Sequence, residues 1–325
     1  MTRMPALLLS LLLPLCAGAV SEARPYSLAP SWVEEAPHMG VRLLGSLALP
    51  ATEVDGHKLQ SLSGLAWDED EGVLYAISDN GSLFHLIPRF RDGRLAALTV
   101  AAAYALRDEQ GQPLALRRRR ADAEGLTLIN GANGRRGDGE LIVSFESRPR
   151  IQRHRPDGRW LGDLPLPAAL ADRTRLASPN RAFEAVALDL RPSVLLATEA
   201  PTDDSPPGHV PIASEGRVWW YPLGTAAGSA LVAMEALPDG SLLTLERAFV
   251  DPLRPLVISL RRTRLPERSN SMLQVEDVAV FSSADGWRLD NFEGLSRHRD
   301  KRFFMVSDDN DSVLQRTLLV YFELL

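Results

Sequence analysis

A repeated β unit is the feature that most constrains how this chain can fold. Each copy opens with Ser or Glu, a small residue and Leu or Val, and its second strand ends in an acid. The five copies are Ser63-Gly64-Leu65 with Ile77-Ser78-Asp79, Glu124-Gly125-Leu126 with Ser144-Phe145-Glu146, Glu184-Ala185-Val186 with Ala197-Thr198-Glu199, Ser229-Ala230-Leu231 with Thr244-Leu245-Glu246, and Glu293-Gly294-Leu295 with Val306-Ser307-Asp308. The small residues recur after 61, 60, 45 and 64 positions, and each interval holds four short antiparallel strands.

The pattern predicts an all-β propeller with five or six four-stranded blades. Runs of branched and aromatic residues bounded by Gly, Asp, Asn and Pro supply the strands. Helical periodicity is confined to residues 95–106 and 168–172, and the first of these also alternates as a strand. A degenerate sixth copy would have to lie between residues 247 and 290. We expect residues 41–49 to form the outer strand of the last blade and close the ring.

Charge and cysteine content exclude several classes of function. The chain has 36 basic and 42 acidic residues, a net charge of −6, so no nucleic-acid-binding surface is expected. The single cysteine, Cys16, excludes a disulfide framework, a thiolate zinc site and a cysteine nucleophile downstream of it. The sequence has neither an HExxH motif nor a G-x-S-x-G elbow.

The first residues have the layout of a secretory signal peptide. Arg3 precedes an apolar run that ends at Cys16, and small residues follow. Cleavage after Ala19 or after Ala23 satisfies the small-x-small rule. A lipoprotein signal is disfavoured because Leu15, not a small residue, precedes the cysteine. The run is shorter than the ~20 residues of a membrane-spanning helix, so no transmembrane segment is expected. We predict a periplasmic or secreted monomer with signal peptide 1–23, leader 24–40 and propeller 41–325.

The repeated acids are the candidate site. In an antiparallel hairpin, the start of the first strand and the end of the second meet at one sheet edge, and a propeller gathers these edges on one face. We assign Glu124, Glu184 and Glu293 as catalytic residues, and as metal ligands together with Asp79 and Asp308. Calcium is the natural ion, because it accepts six to eight oxygen ligands. Two other roles stay open, which are acceptance of turn N–H groups and ion pairing between blades.

Four arginines near these acids could bind an anionic substrate. They are Arg148, Arg181, Arg247 and Arg316. The dense basic run 117–120 could draw a polyanion to the same face, although a solvated loop explains such a run equally well.

The motifs resemble a bacterial family of exported proteins. Leu62-Ser63-Gly64-Leu65-Ala66, Asn180-Arg181-Ala182-Phe183-Glu184 and Asp290-Asn291-Phe292-Glu293-Gly294-Leu295 are similar to those of proteins with a phytase-like domain, also described as "esterase-like activity of phytase". The resemblance covers roughly residues 41–325. It implies a β-propeller, export, and hydrolysis of phosphate or carboxylic esters. The chain departs from an all-carboxylate pattern at Ser63 and Ser229.

These observations together lead to one expectation and two alternatives. We expect an exported, calcium-dependent hydrolase of phosphate or related esters, which takes a small anionic ester at the axial face of the propeller. The first alternative is a non-catalytic binding propeller with a structural metal ion. The second is a metal-dependent hydrolase of lactones or carboxylic esters.

Overall fold

Five antiparallel sheets make up nearly all of the regular structure. The computed structural model describes residues 23–30, 36–116, 118–176, 181–190 and 193–325. In four of the sheets, the first four strands follow one another in chain order from the inside outwards. Blade by blade, the strands are Leu62–Asp68, Val73–Ser78, Ser82–Arg91 and Arg94–Ala105; Ala123–Ile129, Glu140–Phe145, Arg150–His154 and Trp160–Leu164; Phe183–Leu188, Val194–Thr198, His209–Ser214 and Arg217–Pro222; Ser229–Ala236, Ser241–Ala248, Val257–Arg264 and Val275–Ser282; and Asn291–Arg299, Arg302–Asp308, Thr317–Leu324 and Val41–Leu49.

The remaining elements are short. Arg24–Pro25 extends the fifth sheet, and Ser271–Met272 adds a parallel strand to the third. A small hairpin pairs Glu53–Val54 with His57–Lys58. The helical segments are Leu114–Leu116, Arg118–Ala121, Ala168–Leu170, Arg173–Arg175 and Ser283–Asp285.

The blade count is five. The segment between residues 247 and 290 supplies strands Val257–Arg264 and Val275–Ser282 of blade 4, so it contains no sixth blade. The alanine-rich residues 95–106, whose pattern fitted either a helix or a strand, belong almost entirely to the strand Arg94–Ala105. The other segment with helical periodicity forms only the 3-10 turn Ala168–Leu170.

The first long strand of the chain lies beside the last one. Val41–Leu49 runs antiparallel to Thr317–Leu324, with Leu47 opposite Leu319. A bulge separates Leu43 from Ser46, and Gly45 there has a φ of 125°, a conformation that only glycine adopts readily. The fifth blade thus combines three strands from the end of the chain with one from its beginning.

The core consists of apolar layers between successive blades. Five clusters of buried side chains occur among the described residues, and each draws on two neighbouring sheets. One pair from each cluster, from the blade 1–2 interface to the blade 5–1 interface, is Tyr75 with Phe145, Ile142 with Phe183, Tyr221 with Leu242, Phe281 with Phe303, and Tyr321 with Phe84. Because blade 5 packs on blade 1 as well as on blade 4, the sheets surround a central axis.

Candidate functional site

A β-bulge marks the start of each inner strand. In blade 1 the pairing jumps from Leu62 to Gly64, which leaves Ser63 in the bulge. The equivalent shifts leave Glu124, Glu184 and Glu293 in the bulges of blades 2, 3 and 5. A bulge adds one residue to one strand and redirects its side chain. The predicted strand-start glutamates therefore share one structural position.

Blade 4 corrects the sequence alignment of the repeats. Its register shift lies between Leu231 and Ala233, so the residue in the bulge is Val232 and not Ser229. The strand begins at Ser229, three residues before the bulge, whereas the inner strands of blades 1, 2, 3 and 5 begin one or two residues before theirs. The sequence repeat therefore aligned Ser229 with the bulge residues of the other blades, although Ser229 lies three residues before the bulge of its own strand. The small residue of this copy is Ala233.

The same shift corrects the strand-end position. Leu231 pairs with Glu246, and the residue after that pair is Arg247. In blades 1, 2, 3 and 5, the residue after the corresponding pair is an acid. These four acids are Asp79, Glu146, Glu199 and Asp308. The residues at these five strand ends form a ring around the axis. This ring therefore contains four carboxylates and one guanidinium, and Glu246 is not part of it.

Glu246 instead joins strands within blades 3 and 4. Its carboxylate accepts hydrogen bonds from the Tyr221 hydroxyl at 2.6 Å, the Ser229 hydroxyl at 2.6 Å and the Gly224 N–H at 2.8 Å. Arg261 completes its coordination with a 2.6 Å ion pair. With all these donors satisfied inside the protein, Glu246 is a structural residue.

The small residues allow the inner strands to approach one another at the axis. A Cβ on Gly64 would lie 2.7 Å from the carbonyl oxygen of Glu124, and one on Gly125 would lie 2.5 Å from that of Glu184. A Cβ on Gly294 would lie 3.1 Å from the carbonyl oxygen of Ser63. Each of these three glycines therefore contacts the bulge of the next blade, and close packing at these three positions requires glycine.

The bulge and strand-end acids converge on one face. The charges of Glu293, Glu146 and Asp79 all act on Glu124, and those of Glu293 and Asp79 act on Asp308. This is the convergence that the repeat predicted for Glu124, Glu184, Glu293, Asp79 and Asp308.

Two groups of three carboxylates are close enough to share an ion. Asp122, Glu124 and Glu146 form one group, and Glu146, Glu184 and Glu199 form the other. Within each group, the three ligand oxygens lie within 4.8 Å of one another. Glu146 belongs to both groups, so it lies at the centre of the acidic face between blades 2 and 3.

Arg247 balances the opposite side of the acidic face. Its guanidinium donates to Glu293 at 2.8 Å, to Glu199 at 3.0 Å and to the side-chain oxygen of Asn291. The Arg247 side chain is 20% exposed, and those of Glu199 and Glu293 are 7% and 12% exposed. Arg247 is thus a largely buried cation that pairs with two acids, and its role as a substrate-binding residue stays a prediction.

Burial and mutual repulsion raise the pKa values of these acids. Burial raises the pKa of Glu184 well above its usual value, and the charges of Glu124, Glu146 and Glu293 raise it further. Burial and the charges of Asp122 and Glu293 raise the pKa of Asp79 to about 6. Protonation or a bound cation would relieve this repulsion.

Glu146 and Glu184 lie side by side. Oxygens of the two carboxyl groups are within 4.8 Å of each other, and the Glu146 carboxylate also accepts the Ala182 N–H at 2.8 Å. Burial and the charges of Asp122 and Glu199 raise the pKa of Glu146 to about 7. A nearby cation would favour the charged forms of both carboxyl groups.

The other predicted arginines lie in different surroundings. Arg181 donates to Glu199 at 2.9 Å, and its side chain is 54% exposed. Arg316 is exposed and lies over the Tyr26 ring, so it does not belong to either carboxylate group. Arg148 is exposed and lines a separate cavity in blade 2. Arg117 of the basic run lies outside the described residues.

Asp122 is the functional candidate that the repeat did not reveal. It lies two residues before Glu124, outside the repeated triplet, and its carboxylate accepts the Ser147 N–H at 2.8 Å. That contact ties Asp122 to the turn that follows Glu146. The only sequence signal was its proximity to Glu124, because no acid stands at the equivalent position of the other blades.

Comparison with known proteins identifies the family. The family model Phytase-like, described as "Esterase-like activity of phytase", matches residues 57–311. This chain belongs to that family. The match spans the inner strands of all five blades and every acid of the ring, and it confirms the resemblance drawn from the repeated motifs. Among curated proteins, none matches the sequence.

Several solved structures are similar to this chain over most of its length. An aldose sugar dehydrogenase from Streptomyces coelicolor, in its PQQ-bound form, is 11% identical over 89% of this chain and 100% of its own, with a TM-score of 0.41. A gluconolactonase from Xanthomonas campestris is 12% identical over 95% and 99%, with a TM-score of 0.42. The Cps50 (Swd1) propeller domain from Myceliophteria thermophila is 10% identical over 93% and 100%, with a TM-score of 0.40. At these scores the likeness carries no argument about activity.

The predicted signal peptide lies largely outside the described part of the chain, which begins at residue 23. Cys16 and the cleavage position after Ala19 are therefore not described. Within the part that is described, none of the helices has the length and apolar character needed to cross a membrane.

Proposed function

We propose that this protein is an exported hydrolase of phosphate or related esters, with one divalent cation held at the acidic face. The observation that carries the proposal is that Glu146 belongs to two sets of three carboxylates, each close enough to share an ion. The proposed ligands are Asp122, Glu124, Glu146, Glu184 and Glu199. The site thus shifts away from the predicted Glu293, Asp79 and Asp308 towards blades 2 and 3.

The donor set fits calcium. The two groups offer only carboxylate oxygens, which hard cations prefer, and calcium tolerates an irregular arrangement of them. Burial and mutual repulsion disfavour the charged forms of Glu124 and Glu184 and raise their pKa values. A cation would offset that repulsion and favour deprotonation of these carboxyl groups.

Arg247 favours the binding of a single ion, on the side of the acidic face opposite to its own guanidinium. Because it already neutralises Glu293 and part of the charge of Glu199, the proposed ligands without a basic partner among the described residues are Asp122, Glu124, Glu146 and Glu184, in blades 2 and 3. Glu293 is accordingly a positioning partner of Arg247 in this proposal, and not a cation ligand or a catalytic residue.

The residues of the chain have separate roles in the proposed reaction. The cation would polarise an ester oxygen and lower the pKa of an attacking water. Glu184, next to Glu146, would accept the proton of that water, because its carboxylate lies at the proposed cation site. Arg181 would bind the anionic part of the substrate, since its side chain is half exposed and, among the described residues, pairs with a carboxylate through its Nε alone.

Hydrolysis with and without calcium tests this function. We expect cleavage of a phosphomonoester, phytate or a short-chain carboxylic ester to require calcium, and to fall at least about 100-fold in Glu184→Gln. Glu276→Gln, an exposed outer-strand residue, is the matched control and should keep full activity. Activity that survives chelation would contradict the proposal. Calcium binding without cleavage of any of the three substrates would favour the binding-propeller alternative.

Export and ring closure complete the proposal. A signal peptide ending at Ala19 or Ala23 would direct the protein to the periplasm or the medium, and N-terminal sequencing of the exported protein would locate the cleavage. Residues 24–40 would form a leader, and residues 41–325 the propeller. The pairing of Val41–Leu49 with Thr317–Leu324 would fasten the two ends of the ring together.

A further inference from the structure

A cavity separate from the acidic face lies in blade 2, beside the loop that follows blade 1. Its volume is about 380 Å³, within the range of roughly 300–1,000 Å³ that small-molecule sites occupy. Most of its polar lining comes from blade 2 and from the basic run ahead of it. The residues that matter are Arg120, Arg148, Arg150, Gln152, Trp160 and Asp163.

Arginines give this cavity its character. Arg148 is exposed and has no ion pair with any carboxylate of the described chain. Arg150 donates to the carbonyl oxygens of Arg148 and Arg120, and its guanidinium lies 3.7 Å from the centre of the Phe145 ring. Arg150 therefore fixes the backbone that carries the other two arginines. A pre-arranged set of guanidinium groups suits a carboxylate or a phosphate.

The acids of the same cavity are already engaged by protein donors. Asp163 accepts the Gln152 amide at 2.7 Å and the Trp160 indole N–H at 3.3 Å. Asp108 accepts the backbone N–H groups of Gln110 at 3.1 Å and Gln112 at 2.8 Å. Glu109, the third acid of the lining, accepts the Gln110 side-chain amide at 2.9 Å, so each carboxylate of the cavity has a donor other than an arginine.

Gln152 supplies an unsatisfied acceptor. The residue is 6% exposed, its amide N–H is used by Asp163, and its Oε1 is buried without a hydrogen-bond partner. A buried acceptor of this kind lacks a donor, and a ligand hydroxyl would provide one. The neighbouring half-buried Trp160 adds a flat apolar surface beside it.

We propose that this cavity binds a sugar or another ring polyol that carries a carboxylate or a phosphate. Arg148 and Arg120 would hold the anionic group, Gln152 Oε1 would accept a ring hydroxyl, and Trp160 would cover the ring. The site is separate from the axial acids and does not depend on the proposed hydrolysis or on a bound cation.

Calorimetric titration in the presence of EDTA tests the proposal apart from activity. The probes are glucuronate, glucose 6-phosphate, glucose and inorganic phosphate. We expect at least one anionic sugar to bind at least about tenfold more tightly than both glucose and phosphate. The two sugar arms show whether the cavity prefers a carboxylate or a phosphate.

Two variants locate the binding. Arg148→Ala should weaken it about tenfold, whereas Arg89→Ala, which removes an exposed arginine from blade 1, should leave it unchanged. Both residues are exposed, so both variants should fold, which circular dichroism would verify. Equal effects of the two substitutions, equal binding of glucose, or no binding of either anionic sugar would overturn the proposal.

Discussion

Removal of the Arg247 charge should destabilise the protein strongly at neutral pH. Arg247→Met keeps an unbranched side chain but leaves Glu199 and Glu293 without their 3.0 Å and 2.8 Å ion pairs. Loss of one partner of a buried pair costs about 3–5 kcal/mol, because the remaining charge stays desolvated. The side chains are 7–20% exposed, so we expect the lower end, about 3 kcal/mol.

The cost should depend on pH and on calcium. Burial raises the pKa of Glu293, so without Arg247 this carboxyl group can become neutral by protonation, and the loss should shrink at pH 5. Added calcium should also recover part of it, because a cation can replace the guanidinium. Urea unfolding followed by tryptophan fluorescence at pH 7.5 and pH 5, with and without calcium, measures both effects.

Arg181→Met is the matched control. Arg181 also pairs with Glu199, at 2.9 Å, but its side chain is 54% exposed, so its loss should cost no more than about 1 kcal/mol. If the two substitutions reduced the free energy of unfolding equally, or if Arg247→Met cost less than Arg181→Met, the account of Arg247 as an internal cation would be wrong.

Three further predictions follow from the axis and the ring. In chelated protein, Asp79 alone should lower the free energy of unfolding by about 3 kcal/mol as the pH rises from about 4 through about 6, because its pKa is about 6 when folded and 3.8 when unfolded. A urea titration series measures the fall, and calcium should reduce it, because a cation would offset the charge of Asp122 that acts on Asp79. Gly125→Ala should lower the free energy of unfolding by about 3 kcal/mol or more, since its Cβ would lie 2.5 Å from the Glu184 carbonyl oxygen. Gly139→Ala, whose Cβ would have its nearest contact at 3.2 Å, should lower it clearly less, and thermal unfolding measures both variants. Deletion of residues 23–49 should expose the edge of Thr317–Leu324 and cause aggregation in size-exclusion chromatography; a stable monomer would contradict the role of Val41–Leu49 in closing the ring.

The sequence was sufficient to predict the propeller and most of the acidic face. The Glu-Gly-Leu triplets predicted the shared position of Glu124 and Glu293, because the bulge and the close approach at the axis require those residue types. It failed in blade 4, where Val232 and Arg247 replace both acids, and a search for acids and serines chose Glu246 and Ser229 instead. A sequence repeat therefore identifies equivalent positions only in those blades where the same residue types recur.

The grouping of the acids could not be read from the repeat. Five-fold repetition suggests a symmetric ring, whereas the side chains form two triplets around Glu146 and an ion-pair cluster around Arg247. This asymmetry comes from a single arginine in blade 4 and from Asp122, which precedes the repeated triplet of blade 2. Such contacts between blades depend on side-chain positions that a single copy of the repeat does not specify.

Calcium titration of two glutamine variants tests the central claim most directly. We expect the wild-type protein to bind one calcium ion per chain by isothermal calorimetry, and Glu146→Gln to lose that binding, since Glu146 belongs to both carboxylate groups. Glu293→Gln should retain it, because Glu293 is paired with Arg247. Unchanged calcium binding by Glu146→Gln, or loss of binding only in Glu293→Gln, would contradict the account.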